Sequence, residues 1–130
     1  MILDTSAIVA ILLKEPEHQR LVDLLADDSR PAVGAPTLTE TAIVLSARLG
    51  EDARGLLARF LQEAGISMVP FGESHYTAAA DAWLRFGKGR HPAALNFGDC
   101  LSYATAQLAG EPLLFVGADF SKTDLLPAGA

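Results

Sequence analysis

The sequence predicts a single α/β domain over residues 1–130, with a parallel sheet of about four to five strands flanked by helices on both faces. Short apolar runs of strand length alternate with longer segments whose apolar residues recur at helical spacing, which is typical of repeated strand–helix units. The chain has 130 residues, half of them hydrophobic, which suffices for one buried core and is too little for two.

Four apolar runs predict the strands. Each is bounded by a proline, a glycine or a charged residue, and none shows the polar alternation of a half-exposed strand. The runs cover residues 2–3, 32–35, 66–69 and 113–116.

The segments between these runs predict the helices. Ser, Thr, Asn or Pro marks several of the helix starts, and Gly follows several of the helix ends. The predicted helices cover residues 5–13, 16–30, 36–49, 52–64, 73–86 and 96–109. Residues 117–130 show little regular pattern, so we expect an irregular tail.

The composition restricts the possible functions. The chain carries 16 acidic and 10 basic residues, a net charge of −6, which argues against a broad nucleic-acid-binding surface. A local basic patch, or an acidic site that meets phosphate through a metal ion, remains compatible with this charge. The single cysteine, Cys100, excludes an intrachain disulfide. No segment has the pattern of a signal peptide or of a membrane span, so we expect a cytoplasmic protein without membrane attachment.

Four acidic residues fall at the predicted element junctions. Asp4 ends the first strand, Glu40 and Asp99 lie in the first turns of two helices, and Asp119 follows the last strand. The carboxyl ends of parallel strands meet at one sheet edge, so these side chains can converge. Clustered carboxylates repel one another unless a cation such as Mg²⁺ or Mn²⁺ neutralises them. We therefore expect Asp4, Glu40 and Asp99 to bind such a metal, with Asp119 as a fourth catalytic carboxylate.

Each of these residues also has a purely structural interpretation. The segment from Thr37 to Glu40 matches a capping box, and Asn96 and Asp99 have the same spacing. Asp119 could be a turn residue. The two interpretations are compatible, because a capping carboxylate can bind a metal ion with its other oxygen.

Four short motifs follow one another along nearly the whole chain. They are MILDTSA at residues 1–7, LTE at 38–40, NFGDC at 96–100, and LLFVG at 113–117 followed by Asp119 and Phe120. Their order and spacing resemble those of PIN-domain ribonucleases, in particular the VapC toxins of VapBC toxin–antitoxin pairs. One departure is Ala118, where such proteins often carry a second acidic or polar residue.

The resemblance implies a parallel sheet flanked by helices, a Mg²⁺ or Mn²⁺ site, and hydrolysis of single-stranded or looped RNA. It also implies a homodimer and tight binding by a VapB-type antitoxin. No residue looks like a covalent nucleophile, so we expect a metal-activated water to attack the phosphodiester in line. Ser6 and Asn96 are expected to position the carboxylates or metal-bound waters through hydrogen bonds.

A local basic cluster could hold the RNA backbone. Arg85, Lys88 and Arg90 lie in or beside a loop containing Gly87 and Gly89, where the backbone could approach phosphates closely. The alternative is a solvated, flexible loop.

Three other residues favour structural roles. Tyr76 and Trp83 are expected in the core or at an interface rather than as base-stacking platforms. Cys100 is expected to pack as a small hydrophobe, and the three histidines show no zinc-ligand spacing with it.

Three competing classes of protein fit the sequence less well. A phosphoacceptor receiver domain needs an aspartate after its third strand, where this chain has Pro70, and a haloacid-dehalogenase-type phosphatase needs one where Ser6 stands. A binding module that had lost catalysis would have no reason to retain Asp4, Glu40 and Asp99 together.

Overall fold

Strands and helices alternate along the chain in the computed structural model, which describes residues 1–129. The strands are β1 (Ile2–Leu3), β2 (Ala32–Gly34), β3 (Ser67–Val69) and β4 (Leu113–Leu114), and the helices are α1 (Thr5–Leu12), α2 (His18–Ala26), α3 (Ala35–Leu49), α4 (Arg54–Ala64), α5 (Glu73–Phe86) and α6 (Phe97–Ala109). A short 3₁₀ helix covers Phe120–Lys122. The predicted domain end at residue 130 lies outside the described residues.

The four strands form one parallel sheet in the order β3-β2-β1-β4. The chain builds outward from β1 through β2 to β3 and then returns to the other side of β1 with β4. The strand order therefore reverses beside β1, and ligands of open α/β sheets bind at such a reversal, beyond the carboxyl ends of the strands. Asp4 follows β1 directly at this point.

Strands β1, β2 and β4 are buried on both faces of the sheet, whereas the edge strand β3 is partly exposed, with Met68 56% exposed. Successive side chains of a strand point to opposite faces. Ile2 and Leu113 belong to one apolar cluster, together with Tyr103 of α6. Their neighbours Leu3 and Leu114 belong to a second cluster on the other face, with residues of α1 and α2. Full burial of one such side chain contributes roughly 1.5–3 kcal/mol to folding. The parallel sheet with helices on both faces confirms the predicted α/β architecture.

The last strand is shorter than predicted, and the tail is more ordered. β4 ends at Leu114, and two residues later the amide of Val116 donates to Ser6 Oγ at 3.0 Å rather than to a neighbouring strand. The tail returns to β4, where the amide of Leu113 donates to the carbonyl of Leu126 at 3.0 Å and a parallel bridge joins Leu113 to Pro127. The expectation of an irregular tail was therefore wrong in part.

Two predicted helix starts and one predicted strand end also shift. Helix α2 begins at His18 rather than Pro16, because the carbonyl of Glu15 accepts the amide of His18 and closes a turn first. Helix α4 begins at Arg54, whose amide donates to Asp52 Oδ1 at 3.0 Å. β2 ends at Gly34, where a Cβ would lie 2.7 Å from Thr105 Oγ1, and α3 begins at the next residue.

Tyr76 and Trp83 lie at the surface, 67% and 43% exposed, so of the two predicted places the core is excluded and an interface stays a prediction. Cys100 is buried, as expected, and burial, followed by the charge of Asp99, raises the pKa of its thiol to about 11.

Among residues 1–129, no helix is long and apolar enough to cross a bilayer.

Candidate active site

Asp4 is a buried carboxylate at the carboxyl end of β1. Its side chain is the N-cap of α1 and accepts the amide of Ser6 at 3.1 Å. The residue is 5% exposed, and a buried carboxylate is costly unless hydrogen bonds or a cation compensate it. The buried Asp4 carboxylate therefore needs hydrogen-bond donors or a cation from the surrounding fold.

Two serine hydroxyls supply those partners. Ser6 Oγ donates to Asp4 Oδ2 at 2.7 Å, and Ser102 Oγ of α6 donates to Asp4 Oδ1 at 2.6 Å. Ser6 Oγ also accepts the amide of Val116, so one hydroxyl connects the carboxylate to the chain leaving β4. Both oxygens of Asp4 are thus held in fixed directions.

Glu40 lies one and a half turns into α3 and does not cap it. The helix begins at Ala35 with Gly34 as its N-cap, so the capping-box interpretation of Glu40 was wrong. Instead, Thr5 Oγ1 donates to Glu40 Oε1 at 2.6 Å, and Thr41 Oγ1 lies 3.0 Å from Thr5 Oγ1. Thr5 therefore positions this carboxylate from the start of α1, and Thr41 of α3 donates to the Thr5 hydroxyl.

Gly98 of α6 leaves room for the Glu40 carboxylate. A Cβ at this position would overlap the carboxyl group, within the range that real Cβ atoms avoid. Glycine at this position therefore lets the Glu40 carboxyl group lie directly against the backbone of α6, and any other residue would displace it.

Asp99 caps helix α6 with one carboxylate oxygen and also belongs to the acidic site. Asn96 and Asp99 form the predicted capping box, with Asp99 Oδ2 accepting the amide of Asn96 at 3.0 Å and Asn96 Oδ1 accepting the amide of Asp99 at 2.9 Å. Burial, followed by the charges of Asp4, Asp119 and Glu40, raises the pKa of Asp99 to about 6. The other oxygen of Asp99 accepts no hydrogen bond from residues 1–129 and is available to a ligand.

The three carboxylates line one open pocket of about 320 Å³. Thr5 and Ser6 also line it, while Arg48 and Glu15 stand at its wall. Asp119 is exposed and does not line this pocket, although its charge contributes to the raised pKa of Asp99. Three of the four predicted carboxylates therefore converge, and the fourth stands outside the pocket.

The donor set fits a hydrated hard cation. Among residues 1–129, no three acidic, His or Cys side chains already form a group compact enough to hold a metal ion. Mg²⁺ keeps several waters and is commonly bound through one or two carboxylates rather than by an all-protein cage. Oxygens free of protein hydrogen bonds on Asp99 and Glu40, beside the fixed carboxylate of Asp4, match that mode of binding.

The profile of the PIN domain family matches residues 1–126. The chain belongs to the PIN domain family. A VapC ribonuclease of Mycobacterium bovis is 52% identical over 126 residues, covering 96% of this chain and 91% of that protein. Ribonuclease VapC of Mycolicibacterium smegmatis is 44% identical over 125 residues, covering 96% of this chain and 97% of that protein. These identities place the PIN domain described here among the VapC ribonucleases, as the motifs predicted.

Two solved structures share the PIN fold. The crystal structure of VapC20 of Mycobacterium tuberculosis, described as a sarcin–ricin loop cleaving toxin, matches with a TM-score of 0.78 at 20% identity and covers 96% of this chain and 95% of that one. A toxin–antitoxin complex from Klebsiella pneumoniae matches with a TM-score of 0.70 at 16% identity, covering 95% of this chain and 92% of that one. At such low identities the likeness confirms the architecture.

Two of the three basic side chains predicted to hold RNA also contact other parts of this PIN domain. Arg85 pairs with Asp124 at 3.0 Å and lies 3.3 Å from the hydroxyl of Tyr103. Arg90 donates to the carbonyl of Leu84 and stacks over the Trp83 ring. Lys88 is exposed, and its side chain makes no ion pair or hydrogen bond within residues 1–129.

Sequence reasoning missed Thr5, Gly98 and Ser102. Ser102 follows Asp99 by three residues and therefore lies on the same face of α6. A hydroxyl about one helical turn after Asp99 was the available signal. Thr5 stands where a helix cap would be expected from the sequence, but its hydroxyl donates to Glu40 instead.

Proposed function

We propose that this VapC-type ribonuclease is a Mg²⁺- or Mn²⁺-dependent endoribonuclease that hydrolyses phosphodiester bonds in RNA as the toxin of a toxin–antitoxin pair. The observation that carries this proposal is the convergence of Asp4, Glu40 and Asp99 on one pocket. The raised pKa of Asp99 reflects burial and uncompensated like charges, which is the situation that a divalent cation relieves.

Asp4, Glu40 and Asp99 would hold the cation, directly or through water. When bound, such an ion neutralises phosphate charge and lowers the pKa of a coordinated water. Ser6 and Ser102 fix the two oxygens of Asp4, Thr5 fixes one oxygen of Glu40, and Asn96 orients Asp99. Partners of this kind orient metal ligands, and their loss typically costs about 10–100-fold in metal affinity or activity.

The test compares Asp4→Asn and Asp99→Asn with the control Asp27→Asn, which changes an exposed aspartate on α2's C-terminal side. We expect the first two variants to lose Mn²⁺ binding, measured by calorimetry, and cleavage of a single-stranded RNA, while keeping a wild-type circular dichroism spectrum. The control should retain both. A folded Asp99→Asn protein that cuts RNA at the wild-type rate would overturn the assignment.

A VapB-type antitoxin is the second partner that we propose. The acidic pocket offers carboxylates that an arginine of a partner protein could engage bidentately. The support is the pocket itself and the structural likeness to a toxin–antitoxin complex. Co-expression with the small gene neighbouring this one should restore growth and allow co-purification, and failure of every adjacent gene to do so would contradict the toxin role.

We also propose a homodimer formed through the Phe97 surface, defined as an exposed apolar area on α3, α5 and α6 and the segment before α5. It consists of Ile43, Phe71, Tyr76, Trp83, Phe97 and Leu101. Phe97 is 80% exposed and Ile43 is 64% exposed, and homodimer interfaces are apolar and rich in aromatic side chains. Phe97→Glu should give a monomer in light scattering, whereas the control Leu56→Glu on α4, 41% exposed, should not. A wild-type monomer at micromolar concentration would refute the dimer.

RNA contact by the loop after α5 remains part of the proposal, with Lys88 as its main cation, since Arg85 and Arg90 are engaged within the protein. Lys88→Ala with Arg90→Ala should weaken RNA binding and reduce its salt dependence while sparing metal binding. Unchanged affinity in this double variant would place the RNA elsewhere. RNA and a newly made antitoxin meet in the cytoplasm, which is where we propose that the protein acts.

A further inference from the structure

Arg48 is the one basic residue in the wall of the active-site pocket, among the residues that the structure describes. It lies in the last turn of α3. Glu40, Val44 and Arg48 are spaced four residues apart, so they share one face of that helix. Arg48 therefore stands about 12 Å along the helix axis from Glu40, on the side that faces the pocket.

Glu15 faces Arg48 from a fixed turn after α1. The amide of Glu15 donates to the carbonyl of Ala10 at 2.9 Å, and the carbonyl of Glu15 accepts the amide of His18 at 2.9 Å. The ring of His18 makes a second contact to that carbonyl at 2.8 Å. The backbone that carries the Glu15 carboxylate is therefore well anchored.

The pair between Arg48 and Glu15 is loose. The guanidinium and the carboxylate are 3.7 Å apart, beyond hydrogen-bond distance, and the two side chains are 54% and 39% exposed. The guanidinium makes no hydrogen bond within residues 1–129. Arg85 and Arg90, in contrast, donate to protein oxygens at 3.0 and 3.1 Å. Of these three arginines, Arg48 is the one whose guanidinium makes no hydrogen bond to the protein.

We propose that Arg48 binds a backbone phosphate of the RNA substrate beside the scissile phosphodiester, and that Glu15 competes with that phosphate for the guanidinium. This inference rests on the proposed ribonuclease function. Guanidinium groups bind phosphate oxygens through two parallel hydrogen bonds.

The position of Arg48 favours RNA over an acidic protein segment. A polyanion that places one phosphodiester at Asp4 and Asp99 carries further phosphates on both sides of it. The guanidinium lies in the wall of the same pocket, where it can take one of these flanking charges. Glu15 then acts as a counter-ion that keeps the pocket from holding unrelated anions tightly.

The test uses Arg48→Gln and Glu15→Gln, separately and together, in the full-length protein. The matched controls are Arg54→Gln and Asp52→Gln, since this pair is likewise exposed and lines none of the pockets described above. A labelled single-stranded oligoribonucleotide serves for fluorescence anisotropy in a metal-free Asp99→Asn background, where the RNA is not cleaved. The same RNA gives kcat and KM in the background with Asp99 intact.

We expect Arg48→Gln to weaken RNA binding and raise KM about tenfold, as the loss of one charge-assisted contact does, with little change in kcat. The salt slope of binding should flatten by about 0.7, the value for one contact to a single strand. Glu15→Gln should tighten binding about two- to fivefold in the presence of Arg48 and have no effect in Arg48→Gln. A merely structural role would not produce this gain or this coupling.

The two levels of failure are distinguishable. Wild-type protein that neither cuts nor binds RNA would overturn the proposed function and this inference with it. Wild-type cleavage with an unchanged KM and salt slope in Arg48→Gln would overturn the inference alone. An effect of Arg48→Gln on antitoxin affinity with none on RNA would assign the arginine to the protein partner and would also overturn it.

Discussion

Gly98→Ala should disable the enzyme while leaving a folded protein. The added Cβ enters the space of the Glu40 carboxyl group, which has to move by about 1 Å to reach ordinary contact distance. Glu40 is held there by Thr5 Oγ1 at 2.6 Å, so the movement breaks a charge-assisted hydrogen bond. A misplacement of about 1 Å in a catalytic group can cost about 100-fold in rate.

The effect on stability is the sum of two opposing contributions. A hydrogen bond to a charged group contributes about 1.5–3 kcal/mol, with the lower end appropriate for the half-buried Glu40. Replacing glycine by alanine in a helix contributes up to about 1 kcal/mol in the other direction. The net loss in the free energy of unfolding should be about 1 kcal/mol, too little to unfold the domain.

The control is Gly55→Ala, which makes the same change at the same place in another helix. Gly55 is the second residue of α4, as Gly98 is of α6, and a Cβ at Gly55 meets nothing within 4 Å. Urea unfolding and RNA cleavage should show a control variant that is slightly stabilised and fully active. Equal activity and stability in the two variants would refute the reasoning that Gly98 makes room for Glu40.

Three other perturbations test the remaining parts of the site and fold. Ser102→Ala removes a buried donor to Asp4. It should lower the free energy of unfolding, measured by urea titration, by about 1–3 kcal/mol. It should also lower the affinity for Mn²⁺, measured by calorimetry, by about 10–100-fold. With a chelator present, the free energy of unfolding of the metal-free protein should fall as the pH rises from about 4 to 6. The reason is that the raised pKa of Asp99 keeps a proton on the folded protein in a range where the unfolded chain has lost it. The Asp99→Asn variant should lack this pH dependence. Tyr103→Phe removes the hydroxyl that donates to Asp124 at 2.5 Å, so hydrogen exchange should increase in the tail while cleavage is retained, and loss of cleavage would contradict a purely structural role.

The positions of Asp4 and Asp99 could be predicted because both follow from local patterns. An apolar run that stops at an aspartate predicts a carboxylate at a strand end, and the spacing from Asn96 to Asp99 predicts a helix cap. The structure confirms the strand before Asp4 and the capping box at Asp99. Both patterns depend on neighbours within a few residues.

The environment of Glu40 was not predictable in the same way. Its capping interpretation assumed a helix start at residue 36 or 37, whereas the structure starts α3 at Ala35 after Gly34. A shift of one or two residues at a helix end is common, and it changes which group an acidic side chain can reach. The actual partner, Thr5, lies 35 residues away in the chain.

The sequence by itself determined the alternation of strands and helices and the position of Asp4 at the end of the first strand, since periodicity and helix capping act over a few residues. The tertiary structure decided which side chains meet. Ser102 reaches Asp4 across 98 residues, and Arg85 reaches Asp124 across 39, so an arginine predicted to contact RNA also pairs with a carboxylate of its own chain. Such pairs form only when the sheet and its covering helices pack together. Local hydrophobic spacing does not predict which distant residue will be the partner.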